Sequence, residues 1–316
     1  MERCSLIAPA KINLHLEIIG DRPDGFHELA MVMQSIDLVD RIDLHSISTD
    51  TIRVRCAHPD VPNDRTNLAY QAARLMAERF PETFANLGGV EIHIEKNIPI
   101  AAGLAGGSSN AAAVLVGLNL LWKLGLTQSE LQELSASIGS DIPFCISGGT
   151  ALATGRGETI SPLPGMDGLH VVLGKFRNLA VSTPWAYKTF REHYSHTYIT
   201  DEVEREERRQ NVHAGPMVSA ISHRDGRKIG ELLYNDLEKV VLPEFPQVAK
   251  LREAMSRPGI LGAMMSGSGP TVFALTETAE QAQQVRDGVK AAMADEDLDL
   301  WVAQFFSTGI STVEGV

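Results

Sequence analysis

The chain is short of several things, and each shortage closes off a class of protein. It has three cysteines in 316 residues, Cys4, Cys56 and Cys145. An odd trio with no metal-ligand spacing supports no disulfide framework and is expected of a reducing, cytoplasmic location. Positive charge is scarce: 28 Lys and Arg stand against 40 Asp and Glu, for a net charge of -12. That balance argues against nucleic acid and against acidic membrane surfaces, both of which want a basic face. No window has the length and polarity of a membrane span. The opening Met1-Glu2-Arg3-Cys4-Ser5 runs straight into a strand-like stretch, with no signal or transit pattern expected. No internal repeat is visible. Oligomeric state is left open by all of this.

What remains is an ordinary globular composition, 44% hydrophobic and 22% charged, long enough for one large or two moderate domains. An acidic protein of this kind can still bind anions where backbone N–H groups, a few cations and a metal supply local positive potential. One stretch invites that reading: Pro99, Ile100, Ala101, Ala102, Gly103, Leu104, Ala105, Gly106, Gly107, Ser108, Ser109 and Asn110. Before it, Val90 to Lys96 alternates apolar and polar residues with the period of a half-buried strand. After it, Ala111 to Trp122 reads as a buried helix of good helix formers. Glycine permits close backbone approach and positive φ. A helix N-terminus offers unpaired N–H groups to an anion. Ser108, Ser109 and Asn110 are candidate caps whose side chains can also reach a phosphate or a metal. No lysine occurs between Lys96 and Lys123, which excludes a Walker A loop, and the glycine spacing is not the dinucleotide fingerprint. A glycine-rich turn that merely caps a core helix remains the plainer reading.

Elsewhere the residues leave alternatives open. Ser5 to Gly20 reads as a strand, a break at Pro9 and a second strand, on which Lys11, Asn13 and His15 share one face. Lys11 and Asn13 can therefore line one cavity, or Lys11 can guard an edge strand. Phe26 and His27 follow a turn cluster and suit a planar base, though such pairs are common on loops. Met31–Ile36 and Arg41–His45 read as further strands. Thr66 or Asn67 caps a helix over Leu68–Phe80. Thr127-Gln128-Ser129-Glu130 is a capping box opening the next helix. Asp141, on a turn fixed by Pro143, is either a base among apolar residues or a helix N-cap. Thr183 and Pro184 start a helix, Asp201–Arg209 is a charge run on a solvated helix or insertion, and Gly230–Leu237 reads as helical. A second glycine turn, Met264 to Pro270, precedes the strand Thr271–Leu275, and a helix (Ala279–Met293) and a final strand follow. The order suggests α+β, with an antiparallel sheet covered by helices in the second half.

Pro9 to Leu14, the Pro99 to Ser109 loop, and Gly262 to Pro270 resemble, in this order, the three motifs of the GHMP small-molecule kinases, and they span nearly the whole chain. The resemblance implies a two-domain fold, divided here as 1–164 and 165–316, with an N-terminal mixed α/β ATP-binding domain. It implies ATP as co-substrate and Mg²⁺, whose ligands stay open between Ser108 and an acidic residue that cannot be placed. Asp24 to Leu29 and Ser140 to Phe144 narrow the resemblance to a member that phosphorylates the tertiary 2-hydroxyl of a cytidine diphosphate-linked methylerythritol in isoprenoid synthesis. By that resemblance Asp141 is the base and Lys11 its cationic partner, while residues 99–109 hold the ATP phosphates. Asn67, Lys96 and Asn110 fall on the adenosine side, Asn13 on the erythritol, and Phe26 and His27 on the cytosine. Two departures stand out: Phe26 where the family often has Tyr, and alanines at 101 and 102 where it commonly has further glycines. The competing readings are a GHMP kinase for homoserine, mevalonate or a sugar, a non-catalytic sensor on the same fold, and a dinucleotide binder.

Overall fold

Two long strands, Arg3–Asp21 and His27–Ile47, pair antiparallel over nearly their whole length and form the spine of the first sheet. The computed structural model describes residues 2–313. Pro9 does not break the first strand as the sequence suggests. Its missing N–H falls at a register shift between Pro9 and Ala10, where an irregular ladder has no bond to lose. The two segments expected at 31–36 and 41–45 are likewise one bulged strand. Gly89–Glu95 extends the sheet on one half of the second long strand, with Ile52–Cys56 parallel beside it. Thr150–Gly155 and Thr159–Pro162 extend it on the other half. Among the described residues this sheet has eight strands.

The helix Gly106–Leu121 lies against the two long strands, packed beside Leu68–Arg79 and Ile142–Ser147. It is buried nearly all round: Ala111, Ala112, Ala113, Val114, Leu115 and Leu118 are fully enclosed. Gly117 permits this contact, because a Cβ there would lie 2.3 Å from Leu44 and 2.8 Å from Leu6. Asn67 caps Leu68–Arg79, accepting from Ala69 N at 2.8 Å. Thr127 and Glu130 form the expected capping box.

The second sheet runs Leu298–Gln304, His170–Phe176, Val272–Thr276, Gly262–Met265, all antiparallel. Pro246–Met255 and Ala279–Met293 pack on it. This is the α+β layer the element order suggests. The two sheets meet in sequence between Pro162 and His170, yet Tyr234–Asn235 and Ser311–Thr312 return to pair with the first long strand. Three local expectations change. Ser182, not Thr183, caps the helix Thr183–Tyr194. Residues 230–237 split into the end of Gly226–Glu231 and the short strand Tyr234–Asn235. The charge run lies in the helix Glu202–His213, which is not simply solvated. Arg208 grips Glu17 at 2.7 Å, and Arg205 donates to Ile199 O at 3.0 Å. Glu17 is partly buried, which alone would raise its pKa, but hydrogen bonds from His15 and Arg208 overcome this and pull it down to about 2. Among the described residues no helix is long and apolar enough to cross a membrane.

Candidate active site

The glycine stretch behaves differently from a capped turn. Gly106, Gly107, Ser108 and Ser109 are already the first turn of the helix, and its N-cap is Ala105 in the left-handed conformation (φ 55, ψ 27) with no side-chain cap. None of the three expected polar caps is used as one. The first-turn N–H groups are therefore not taken up by a side chain, which favours an anion there. Ala101 also has positive φ (50), so two alanines hold backbone conformations that cost L-residues about 1–2 kcal/mol each. The loop is stitched to the first strand by Lys11 N to Leu104 O at 3.1 Å. Ser109 turns inward, fully buried beside the Cys145 thiol, and does not line the cavity that Pro99–Ser108 border.

Lys11 reaches that cavity from the first strand. Its Nζ donates to Asn13 Oδ1 at 2.7 Å and lies 3.7 Å from Asp141 Oδ2. Asp141 stands at the N-cap position of Ile142–Ser147, yet its carboxylate makes no capping bond and is 33% exposed. Asn13 is fully buried with its carbonyl oxygen committed to Lys11. The second glycine turn closes over this group. A Cβ on Gly267 would lie 3.5 Å from Lys11 Nζ, and one on Gly103 would lie 2.3 Å from Ser266 O. The two turns are joined by Ser266 Oγ to Gly103 O at 3.1 Å, and Asn235 Nδ2 holds Met265 O and Gly267 O at 2.8 Å each.

Asn67, Lys96 and Asn110 also line this cavity, and each is engaged by the protein itself. Asn67 caps its helix and donates to Pro62 O at 2.7 Å. Lys96 and Asn110 both donate to Asp40 Oδ2. The other oxygen of Asp40 accepts from Asn97 N at 2.7 Å and Ile98 N at 2.8 Å. Burial pushes the Lys96 pKa down, against the pull of Asp40. A Cβ on Gly106 would lie 2.8 Å from Lys96 Nζ and 3.0 Å from Ile98 Cγ2.

Phe26, also on the cavity wall, is 51% exposed, with the Arg156 guanidinium 4.9 Å over its ring. His27 is buried, 3.0 Å from Tyr198 OH and 5.2 Å, ring to ring, from Tyr187. Burial, with help from Arg191, drops its pKa to about 4, so its imidazole is neutral at ordinary pH. Arg191 ties this loop to the helix Thr183–Tyr194 through Asp21 Oδ1 at 2.8 Å and Gly25 O at 3.0 Å. Burial and the nearby Asp141 keep the Tyr187 phenol protonated.

Lys11, Asn13, Asp141, the 99–108 loop, Asn67, Lys96, Asn110, Phe26 and His27 border one cavity of about 860 Å³. Lys11, Lys96, Arg156, Lys188 and Arg191 line it against only Asp60 and Asp141, so an acidic protein presents an excess of cations here. A family model of the GHMP kinases N terminal domain matches residues 67–149, and one of the GHMP kinases C terminal matches residues 217–295. The chain is 64% identical over 311 residues to the 4-diphosphocytidyl-2-C-methyl-D-erythritol kinase of Trichodesmium erythraeum (strain IMS101), covering 98% of this chain and 99% of that one. The chain belongs to this family of GHMP kinases. A crystal structure of 4-(cytidine 5'-diphospho)-2C-methyl-D-erythritol kinase matches at TM-score 0.72 and 30% identity, covering 95% of this chain and 98% of that one. A homoserine kinase from Cytophaga hutchinsonii ATCC 33406 matches at TM-score 0.75 but 19% identity, covering 99% and 98%, and shares the fold alone.

Sequence reasoning missed several groups in and behind the wall of this GHMP kinase cavity. Asp40 gave no motif, because its donors come from residues more than fifty positions away. Arg156 lay in what read only as a turn. Thr183, Tyr187 and Arg191 recur at four-residue spacing, which places them on one helix face, but no local signal says that the face looks into the cavity. Thr183 Oγ1 lies 2.7 Å from Ser268 Oγ, joining that helix to the second glycine turn.

Proposed function

We propose that the protein transfers the γ-phosphate of ATP to the tertiary 2-hydroxyl of 4-(cytidine 5'-diphospho)-2-C-methyl-D-erythritol, the kinase step of non-mevalonate isoprenoid synthesis. The observation that carries this is the meeting, in one cavity, of the Lys11–Asp141 pair and the uncapped N-terminus of Gly106–Leu121. It does so in a chain with relatives that bear that substrate in their names over their full length. The first-turn amides of Gly106, Gly107 and Ser108 receive the triphosphate. The acceptor hydroxyl lies between Asp141 and Lys11. Its proton passes to the Asp141 carboxylate, its oxygen bonds the γ-phosphorus, and the bond from that phosphorus to the β–γ bridging oxygen breaks, releasing ADP. Lys11, held by Asn13, stabilises the charge on the transferring group. Phosphoryl transfer asks mainly for such positioning and charge stabilisation. The Ser108 hydroxyl is an oxygen donor of the kind that would suit a hydrated Mg²⁺ arriving on the nucleotide. When bound, that ion neutralises charge on the phosphoryl oxygens.

The cytidine end rests on Phe26 as a stacking face and on neutral His27 as a hydrogen-bonding edge. Arg156, Lys188 and Arg191 suit the diphosphate. Asn67, Lys96 and Asn110 support the adenosine side through the frame they build. The test is transfer of label from γ-labelled ATP to this acceptor, beside homoserine, mevalonate, galactose and a methylerythritol phosphate lacking cytidine. Turnover of the cytidine-bearing acceptor alone is expected. Equal turnover of the acceptor without cytidine would overturn the assignment. Asp141→Asn is expected to lower kcat by about 10²- to 10⁴-fold with the ATP KM little changed. A near-normal kcat would leave Lys11 and Mg²⁺ as the stabilisers and remove the base.

A further inference from the structure

The outer face of the first sheet carries a cluster that phosphoryl transfer does not use. Glu91 and His93 lie two apart on the strand Gly89–Glu95, so their side chains share a face. His45 stands directly opposite Glu91 on the second long strand. The alternating neighbours Leu44 and Ile92 are fully buried, so the three polar residues occupy the face turned away from the core. One nitrogen of each imidazole and one carboxylate oxygen all lie within 4.8 Å of one another. His93 Nε2 is 3.2 Å from Glu91 Oε2, and the two imidazole centroids are 5.1 Å apart. All three residues are half-buried, and none borders the catalytic cavity.

We propose that His45, Glu91 and His93 form a binding site for a divalent transition metal of the zinc class. Two imidazoles and one carboxylate are a ligand set that zinc accepts, with water in the fourth position. Imidazole selects against Mg²⁺ and Ca²⁺, which prefer oxygen, so the site is chemically separate from the nucleotide's metal. The ligands sit on two hydrogen-bonded strands, which fixes their spacing better than a loop would. One competitor is present: Arg55, from the parallel neighbour strand, donates to Glu91. Its side chain is 61% exposed, and an ion pair that open contributes little and yields readily. Asp43, opposite His93, stays with Arg41 and Ser5. A bound ion would pin the second long strand to the strand that leads into Lys96 and the glycine loop.

The experiment is calorimetric titration of chelator-stripped, full-length protein with Zn²⁺, without nucleotide, together with Tm measured with and without Zn²⁺. One equivalent is expected to bind and to raise Tm. His45→Ala and His93→Ala are each expected to weaken binding by at least about 10-fold while kcat stays at the wild-type value. Arg55→Ala removes the competitor and is expected to tighten binding, an outcome that mere loss of folding cannot mimic. Zinc affinity unchanged in both histidine variants, or weakened in Arg55→Ala, would overturn the site.

Discussion

Asp40 lends itself to a prediction worked from its contacts. It is fully buried, and each carboxylate oxygen accepts from two donors: Lys96 and Asn110 on one, Asn97 N and Ile98 N on the other. Asp40→Asn keeps the shape but leaves one accepting oxygen and an amide that only donates. Whichever way the amide turns, two donors face a donor, and buried Lys96 loses its counter-charge. Removing one partner of a buried pair costs about 3–5 kcal/mol, and that is the expected loss in urea unfolding at neutral pH. The deficit has a pH signature. Burial already lowers the Lys96 pKa, and without Asp40 it falls further below its unfolded value. The unfolded chain then binds the extra proton over that interval, so the variant gains stability as pH rises toward the ordinary lysine range. Lys96→Met placed on Asp40→Asn removes the stranded charge and is expected to recover part of the loss. A loss under about 1 kcal/mol, or a double variant no more stable than Asp40→Asn, would refute the reasoning.

Gly103→Ala must adopt φ +72 and meets Ser266 O at 2.3 Å. A loss of more than about 2 kcal/mol, read by thermal unfolding, is expected together with a reduced kcat; wild-type stability would mean that the two glycine turns can separate freely. Phe26→Ala is expected to raise the acceptor KM by roughly 5- to 150-fold, the span of one lost base stack, with the ATP KM and Tm nearly unchanged. A shift in the ATP KM instead would place Phe26 at the wrong end. His27 has a folded pKa of about 4, below its unfolded value near 6.5. The unfolded chain therefore binds the proton first, and stability falls as pH drops from about 6.5 to 4, by about 3 kcal/mol in all. His27→Gln is expected to flatten that limb of the urea-midpoint profile, and an unchanged slope would contradict the shift.

The sequence was most legible where periodicity and local chemistry agree. The helix Leu68–Arg79 and the Thr127 capping box follow from local spacing, and the antiparallel second sheet from element order, while the choice between Thr66 and Asn67 as cap is decided by the structure in favour of Asn67. It was least legible where a rule depends on distant partners. Pro9 signals a break only if the ladder needs its N–H, and the register shift removes that need. Ser108, Ser109 and Asn110 have cap chemistry, but the helix begins at Gly106, five residues before Ala111, because Ala105 accepts a left-handed turn. Phe26 and His27 exchange the exposures that hydrophobicity suggests. The phenylalanine faces solvent and the histidine is enclosed by Tyr187 and Tyr198, both supplied by the other half of the chain.

Asp40 and Asp141 differ in a way that bears on the proposed role of Asp141, without reference to motif. Both lie near a lysine. Asp40 has no solvent contact and accepts from two donors on each oxygen, so moving it would break four bonds. A group so constrained holds Lys96, Asn110 and the entry to the glycine loop in place. Among the described residues the Asp141 carboxylate has only Lys11, at a distance longer than a hydrogen bond, and a third of its side chain is exposed. Its vacant acceptor positions are what a hydroxyl proton requires. If Asp40→Asn fails mainly in stability and Asp141→Asn mainly in kcat, the difference in occupancy is the cause. If both fail in the same way, counting donors is not a sufficient criterion for reactivity at this site.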